Sequence, residues 1–339
     1  MTDASGGPAL PDDGPGGDPP RPPLGLTTFT LEGRTAPALF LVGWLGTIVG
    51  LGATIVASFG ARGVAGGILF LVGTSLLTIG LIAAAGAQTI ERRAARIEGY
   101  SGPSPMLVFA ASIALTLFLS VAVGTPLILL GLDADGPAAA LIGTLFVFVS
   151  YFVLIRLLVV GSGALTWRDM GLGRGLRSIG EDAAWGIALA VPVLLASGLL
   201  ARILSLFLPV EEPLLPPATD APGILLNLLT AAVVAPIGEE MFFRGFATTA
   251  WARIYGANRA LIQGALVFAA AHLLTLPAVS ADEGLRTAFF TFLVRLPVAL
   301  TLGWLFLRRR SLVAPIFLHG TFNGLQVLAL AAASGALDG

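Results

Sequence analysis

The chain has no cysteine, no lysine and only two histidines in 339 residues. Without thiols it can form no disulfide, run no thiolate catalysis and offer no Cys ligand to a metal. All 19 basic positions are arginine. Charge is scarce: 12% of residues are Asp, Glu, Lys or Arg, against about 25% in a soluble domain. The net charge of −1 gives no basic surface for nucleic acid. The first 35 residues also lack the apolar stretch of a signal peptide. What is there instead is apolar: 56% hydrophobic residues and a mean hydropathy of +0.90. That composition predicts a polytopic membrane protein.

The stretch GGPALPDDGPGGDPPRPP, residues 6–23, is rich in Pro, Gly and Asp. It has too little apolar surface to offset its ordering entropy, so residues 1–35 read as a disordered cytoplasmic tail. Beyond it, a bilayer core of about 30 Å needs about 20 helical residues per crossing. Apolar runs at 37–60, 63–88, 106–132, 138–162, 183–209, 223–250, 258–280, 285–307 and 312–335 meet that need. The expected fold is therefore an all-α, polytopic integral membrane helical bundle of nine spans, or eight if one run is re-entrant. With the N-terminus inside, thirteen arginines fall in cytoplasmic segments: Arg21, Arg34, Arg92, Arg93, Arg96, Arg168, Arg174, Arg177, Arg253, Arg259, Arg308, Arg309 and Arg310. Only two, Arg62 and Arg286, fall outside. The positive-inside rule then gives a cytoplasmic N-terminus and an external C-terminus. The outer loops carry acids: Asp133, Asp135, Glu211, Glu212, Asp282 and Glu283.

Against this background three charges stand out in VVAPIGEEMFFRGFATT, residues 233–249. Of the 20 carboxylates, only Glu239 and Glu240 fall inside an expected span, and so do both histidines, His272 and His319. An ionisable group in a bilayer costs a few kcal/mol on insertion scales and normally faces a cavity or a partner. Glu240 and Arg244 are four apart, which favours a salt bridge on one helix face. Glu239 points about 100° away from Glu240, free to face something else. The bland reading is that all three charges form one packed ion cluster.

Phe268 and His272 are also four apart on one helix, as are His319 and Asn323 on another. At 1.5 Å per residue, His319 sits roughly 10 Å from the cytoplasmic end of its helix and His272 roughly 12–18 Å. Glu239 is expected near the cytoplasmic end of its own helix. The depths overlap in the inner half of the bilayer, so the residues can converge on a cytosol-facing cavity. Such a set has the parts for hydrolysis of an amide. Glu239 could take a proton from water, and Asn323 could donate to a developing oxyanion. The imidazoles of His272 and His319 could hold that water, or hold a zinc ion that polarises it. No H-E-x-x-H helix is present. Ser150, Ser197 and Ser205 do not neighbour these residues in sequence.

The motifs EEMFFR, FAAAH and HGTFN, in that order and each on an apolar run, match E-E-x-x-x-R, F-x-x-x-H and H-x-x-x-N. The pattern resembles the CAAX protease and bacteriocin-processing (CPBP or Abi) family of intramembrane proteases. LTWRDMGL, residues 165–172, looks like the amphipathic lead-in of such proteins. The resemblance spans about residues 165–330, making 165–335 the expected protease core and leaving 36–164 as N-terminal helices of unassigned role. It implies a conical cavity open to the cytosol and inner leaflet of a plasma membrane. It implies Glu239 and His272 as activators of water, with His319 and Asn323 at the oxyanion. Glu240 belongs to the catalytic pair, with Arg244 and Phe268 in support. Expected partners are membrane lipid and a peptide or lipidated protein, such as a prenylated CAAX substrate.

Two other functions fit the same residues: a non-catalytic bacteriocin-immunity or chaperone-like protein of the same shape, and a proton-coupled transporter using Glu239 and the histidines as a relay. Arg295 is a lone mid-span cation that lines the cavity and binds a substrate carboxylate, or else snorkels or pairs locally. Pro297 beside it is expected to kink or break its helix. Arg156 and Arg202 read as snorkelling residues near span ends. Gly238 and Gly245 flank the acid pair and would permit close helix approach.

Overall fold

The computed structural model describes residues 24–60, 63–173, 175–208, 218, 220–276 and 281–336. Residues 1–23 of the tail expected over 1–35, with Arg21, and also Arg62, Arg174, Glu211 and Glu212 lie outside them. The structure is 80% helical, with no strand among the described residues. Nine helices there are long and apolar enough to cross a membrane. They are α1 Pro37–Phe59, α2 Gly63–Ala94, α3 Pro105–Leu129, α4 Pro137–Val160, α5 Leu176–Leu204, α6 Ala221–Tyr255, α7 Ala257–Leu274, α8 Asp282–Arg309 and α9 Val313–Ala333. The protein is thus a multi-pass membrane protein.

Helices α1 and α2 form a tight hairpin at one edge. Glycines on both sides allow it: a Cβ on Gly43 would lie 2.8 Å from the Ala84 nitrogen, and one on Gly73 would lie 2.7 Å from the Thr54 nitrogen. With no apolar driving force between helices in lipid, such backbone approach supplies the packing. Helix α2 leans on α3, α3 on α4, and α4 on α6. On the far side of α6 stand α9, α5, α8 and α7. Helix α6 is the hub, and every residue from Met241 to Thr248 is buried. One core runs through both halves of the chain, joining Val108 and Leu154 to Phe242, Phe268, Leu302 and Leu318.

Three spans carry π-helical turns. Wide π-helical turns occupy Ser120–Gly124 in α3, Ile155–Val160 in α4, and Leu229–Val234 and Met241–Thr248 in α6. Two of them end just before a proline, Pro126 and Pro236. A proline lacks the N–H and its ring clashes with the carbonyl four residues back, which a widened turn relieves. Pro297, in contrast, neither breaks nor ends α8, which continues to Arg309. Neighbouring helices and local backbone adjustment tolerate such a proline in a membrane span.

One expectation about buried charge changes. Helix α2 runs past residue 88 to Ala94, and α5 starts at Leu176 instead of 183. These extensions bring Glu91, Glu181 and Asp182 into helices, so Glu239 and Glu240 are not the only carboxylates in spans. Glu91 and Asp182 are buried and paired: Arg34 reaches Glu91 at 2.9 Å, and Arg309 reaches Asp182 at 2.7 Å. Arg34 also donates to the Gly25, Thr28 and Thr30 carbonyls, tying residues 24–35 to the end of α2. The lead-in at 165–172 is a set of turns. It buries Leu165 and Met170, and Asp169 pairs with Arg253 at 2.7 Å.

Candidate active site

The site forms where α6, α7, α8 and α9 meet. Glu240 is fully buried, and its Oε1 accepts from Arg244 Nη1 and from His319 Nδ1, both at 2.9 Å. Arg244 is buried as well. Its Nη2 donates to the Ala299 carbonyl on α8 at 3.2 Å, and its guanidinium stacks 4.1 Å over the Phe268 ring. One arginine therefore ties α6 to α7 and α8. Phe268 stands edge-on to both imidazoles, with ring centres 4.7 Å from His272 and 5.7 Å from His319.

Glu239 points away from this cluster, as the 100° step requires. Its side chain is 22% exposed, and its Oε2 has no hydrogen-bond donor among the described residues. That oxygen lies 3.8 Å from His272 Nε2 and 3.9 Å from His319 Nε2. His272 opens the short 3₁₀ turn that closes α7, and its Nδ1 contacts the Phe268 carbonyl at 2.8 Å. A carbonyl only accepts, so this Nδ1 carries the hydrogen. His319 Nδ1 likewise donates to the Glu240 carboxylate. Both rings are thus turned so that Nε2 faces Glu239.

The structure brings together Glu239, Glu240, Arg244, Phe268, His272 and His319. Distance from the helix ends is not what aligns them. Helix α6 runs on to Tyr255, so Glu239 lies about 24 Å from its C-terminal end at 1.5 Å per residue, farther from that end than expected. The last turns of α6 project beyond the start of α9, where Arg253 meets Asp169. Gly245 sits level with the start of α9, and Glu239 and His319 lie six and seven residues from that level (245 − 239 and 319 − 312). A Cβ on Gly245 would lie 3.1 Å from Leu312 Cδ1, and one on Gly238 would lie 3.1 Å from Phe148.

Asn323 sits one turn past His319 and is committed elsewhere: its Nδ2 donates to the Ala231 carbonyl at 2.9 Å. Pro236 explains this contact. In the π-helical turn the Ala231 carbonyl would be taken by the N–H at position 236, which proline lacks. Asn323 satisfies that carbonyl with one of its two amide hydrogens. A Cβ on Gly320 would lie 2.5 Å from the Ala232 oxygen, so only glycine lets α9 come this close.

Glu239 and His272 open onto a cavity of about 590 Å³. Its opposite wall comes from α3 and α4: Phe109, Ser112, Thr116, Thr144, Phe148 and Tyr151. Sequence reasoning missed this wall, because its apolar and hydroxyl residues look like ordinary membrane-helix positions. Pro236 was the available signal for the contact of Asn323 with the Ala231 carbonyl. Ser150 and Ser205 donate to backbone carbonyls at 2.8 Å, so neither is set up as a nucleophile.

Among the described residues no group of three His, Cys, Asp or Glu side chains is arranged to hold a metal ion. Glu240 is already engaged by Arg244 and His319. That leaves His272 and His319 without Glu240 as a further ligand for a zinc ion.

No curated protein and no solved structure matches the chain. Residues 221–325 match the family model described as type II CAAX prenyl endopeptidase Rce1-like. That stretch holds all three motifs, EEMFFR, FAAAH and HGTFN, and is what the chain shares with that family model.

Proposed function

We propose that the chain is an intramembrane endopeptidase that hydrolyses a peptide bond of a membrane-associated substrate, with Glu239 as general base. The observation that carries the reading is the convergence of a buried, donorless Glu239 oxygen and two imidazole Nε2 atoms, at 3.8 and 3.9 Å, on the edge of a mostly apolar cavity. Those spacings suit three groups around one water. Carboxylate oxygen and two neutral Nε2 atoms are all acceptors, and one water has only two hydrogens. One of the three must therefore carry a proton. His319 is the natural holder, because its Nδ1 rests on the Glu240 carboxylate, whereas His272 rests on a neutral carbonyl.

The reaction then follows. Water oxygen attacks the scissile carbonyl carbon as Glu239 takes its proton, with His272 orienting it. The carbonyl π pair moves to oxygen, where His319 Nε2–H and the second amide hydrogen of Asn323 meet it. Collapse re-forms the carbonyl and breaks the C–N bond, and Glu239 passes its proton to the leaving amine. The products are a carboxylic acid and an amine. Glu240, Arg244 and Phe268 act as positioning residues. Residues 165–335 form the catalytic core. An apolar cavity of this size suits a lipid-bearing peptide, including a prenylated CAAX terminus, and membrane lipid is the surrounding partner. The arginine asymmetry supports a cytosolic N-terminus, and a plasma membrane is the proposed location.

The test is cleavage of farnesylated, geranylgeranylated and unprenylated peptides by purified full-length protein, with Glu239→Gln as control and with and without chelator. Loss of about 10²- to 10⁴-fold in the variant, with unchanged melting and no effect of chelator, is expected. Cleavage that survives Glu239→Gln, or a folded wild type that cuts nothing in the panel, overturns the reading.

A further inference from the structure

Three arginines that reach into the protein each meet a carboxylate: Arg34 with Glu91 at 2.9 Å, Arg244 with Glu240 at 2.9 Å and Arg309 with Asp182 at 2.7 Å. Arg295 does not. It lies in the middle of α8, 14 residues before Arg309 (309 − 295), or about 21 Å along the helix. That is too deep for its guanidinium to snorkel to the cytosolic surface. Among the described residues no carboxylate comes within ion-pair distance. Its one hydrogen bond runs from Nη1 to the Thr291 carbonyl at 3.2 Å on its own helix. Four of five N–H donors remain unused there. Yet the side chain is only partly exposed, in a span where an unneutralised cation is costly.

Its place is beside the proposed site. Ala299, one helical turn further along α8, is the residue whose carbonyl takes Arg244 Nη2. Residues 295 and 299 share a helix face. The Arg295 charge is also near enough to act on both Glu239 and His272. A cation with a free planar fork, next to a hydrolytic centre and remote from water, is built to receive an anion brought in by the substrate.

We propose that Arg295 is a specificity-determining residue that binds the C-terminal carboxylate of the peptide substrate. The inference rests on the endopeptidase reading and restricts it: cleavage occurs a short, fixed distance from a free carboxyl end. A lipid phosphate offers the same fork-compatible chemistry, but headgroups lie at the bilayer surface, about 15 Å from the midplane, whereas Arg295 is mid-span.

The experiment uses full-length protein carrying Glu239→Gln, which separates binding from cutting. The probe is a fluorescent, S-farnesylated peptide ending in cysteine plus three aliphatic residues, made with a C-terminal carboxylate and as its carboxamide twin. Fluorescence anisotropy should show the carboxylate bound about tenfold or more tighter, one charge-assisted pair's worth. Adding Arg295→Met should bring the ratio to about one, and Arg295→Lys should keep part of it. Equal binding of the two peptides, or a ratio that survives Arg295→Met, overturns the proposal. So does selective competition by phosphatidylglycerol micelles against the carboxylate peptide, which would assign the anion to lipid. Cleavage of both peptides by wild type at equal rates would sink Arg295 and leave the protease standing. A preserved binding preference without any cleavage would do the reverse.

Discussion

Arg244 shows how much one side chain can carry inside a membrane. It neutralises Glu240, donates to the Ala299 carbonyl and stacks on Phe268. Removing it leaves Glu240 buried with only His319 as partner. Breaking a buried pair from one side costs about 3–5 kcal/mol. Arg244→Ala should therefore lower the melting temperature sharply, and Arg244→Lys should rescue little, because an ammonium cannot serve the carboxylate, the carbonyl and the ring together. An Arg244→Ala protein that melts like wild type yet is inactive would refute the stabilising role and leave Arg244 a positioning residue alone. These residues were visible in the sequence because polar atoms in apolar runs are few. The spacing of Glu240 and Arg244 even gave their pairing. What spacing could not give was the bond from His319 to Glu240, 79 residues apart, since nothing local marks it. Nor could it give the neutral carbonyl behind His272, which sets that ring apart from His319.

At the scale of the element, α6 departs most from its expected form. An apolar run with two acids reads as one straight span, yet it contains two π-helical turns and Pro236. The proline was legible, but its consequence was not, because the donor that repairs it, Asn323, lies on α9. Asn323→Ala should leave the Ala231 carbonyl unsatisfied at a cost of about 1–3 kcal/mol. Pro236→Ala restores an N–H, so the double variant should recover part of that loss. The two changes should be non-additive in a thermal-melt cycle. If Asn323→Ala costs activity but no stability, the amide acts at the oxyanion alone. The turn at 165–172 allows a pH test as well. Partial burial works to raise the Asp169 carboxyl, but Thr166 donors and the Arg253 ion pair outweigh it and hold it below the ordinary 3.8. With a depressed folded value, its contribution is fully present above pH 3.8 and fades as pH falls through the lower folded value. For so exposed a pair that contribution is under about 1 kcal/mol. Proteolytic nicking of this turn should rise at acid pH in wild type, and Asp169→Asn should show the acid level already at neutral pH.

Across the whole molecule, span number and order followed from apolar run length and arginine placement, because a bilayer imposes both. The partners of each span did not follow, since lipid-facing and protein-facing residues are equally apolar. That is why α3 and α4 had no assigned role, although they form the far wall of the cavity beside Glu239 and lie outside the stretch matched by the family model. If this wall bounds the substrate, filling it should hinder binding without touching the chemistry. Gly143 is the place to do so. It lines the cavity, and a Cβ built on it meets nothing within 4 Å. Gly143→Phe should fold at least as well as wild type, since replacing a helical glycine gains about 0.5–1 kcal/mol. It should also raise KM for a prenylated peptide several-fold, with kcat changed much less. A short unprenylated peptide should be affected less than its prenylated twin, because the ring occupies space meant for the lipid. Equal losses for both would mean that α4 bounds the peptide path rather than a lipid groove. No loss for either would mean that the substrate reaches Glu239 from the α7–α8 side, and α3 and α4 would then serve only to hold α6 in place.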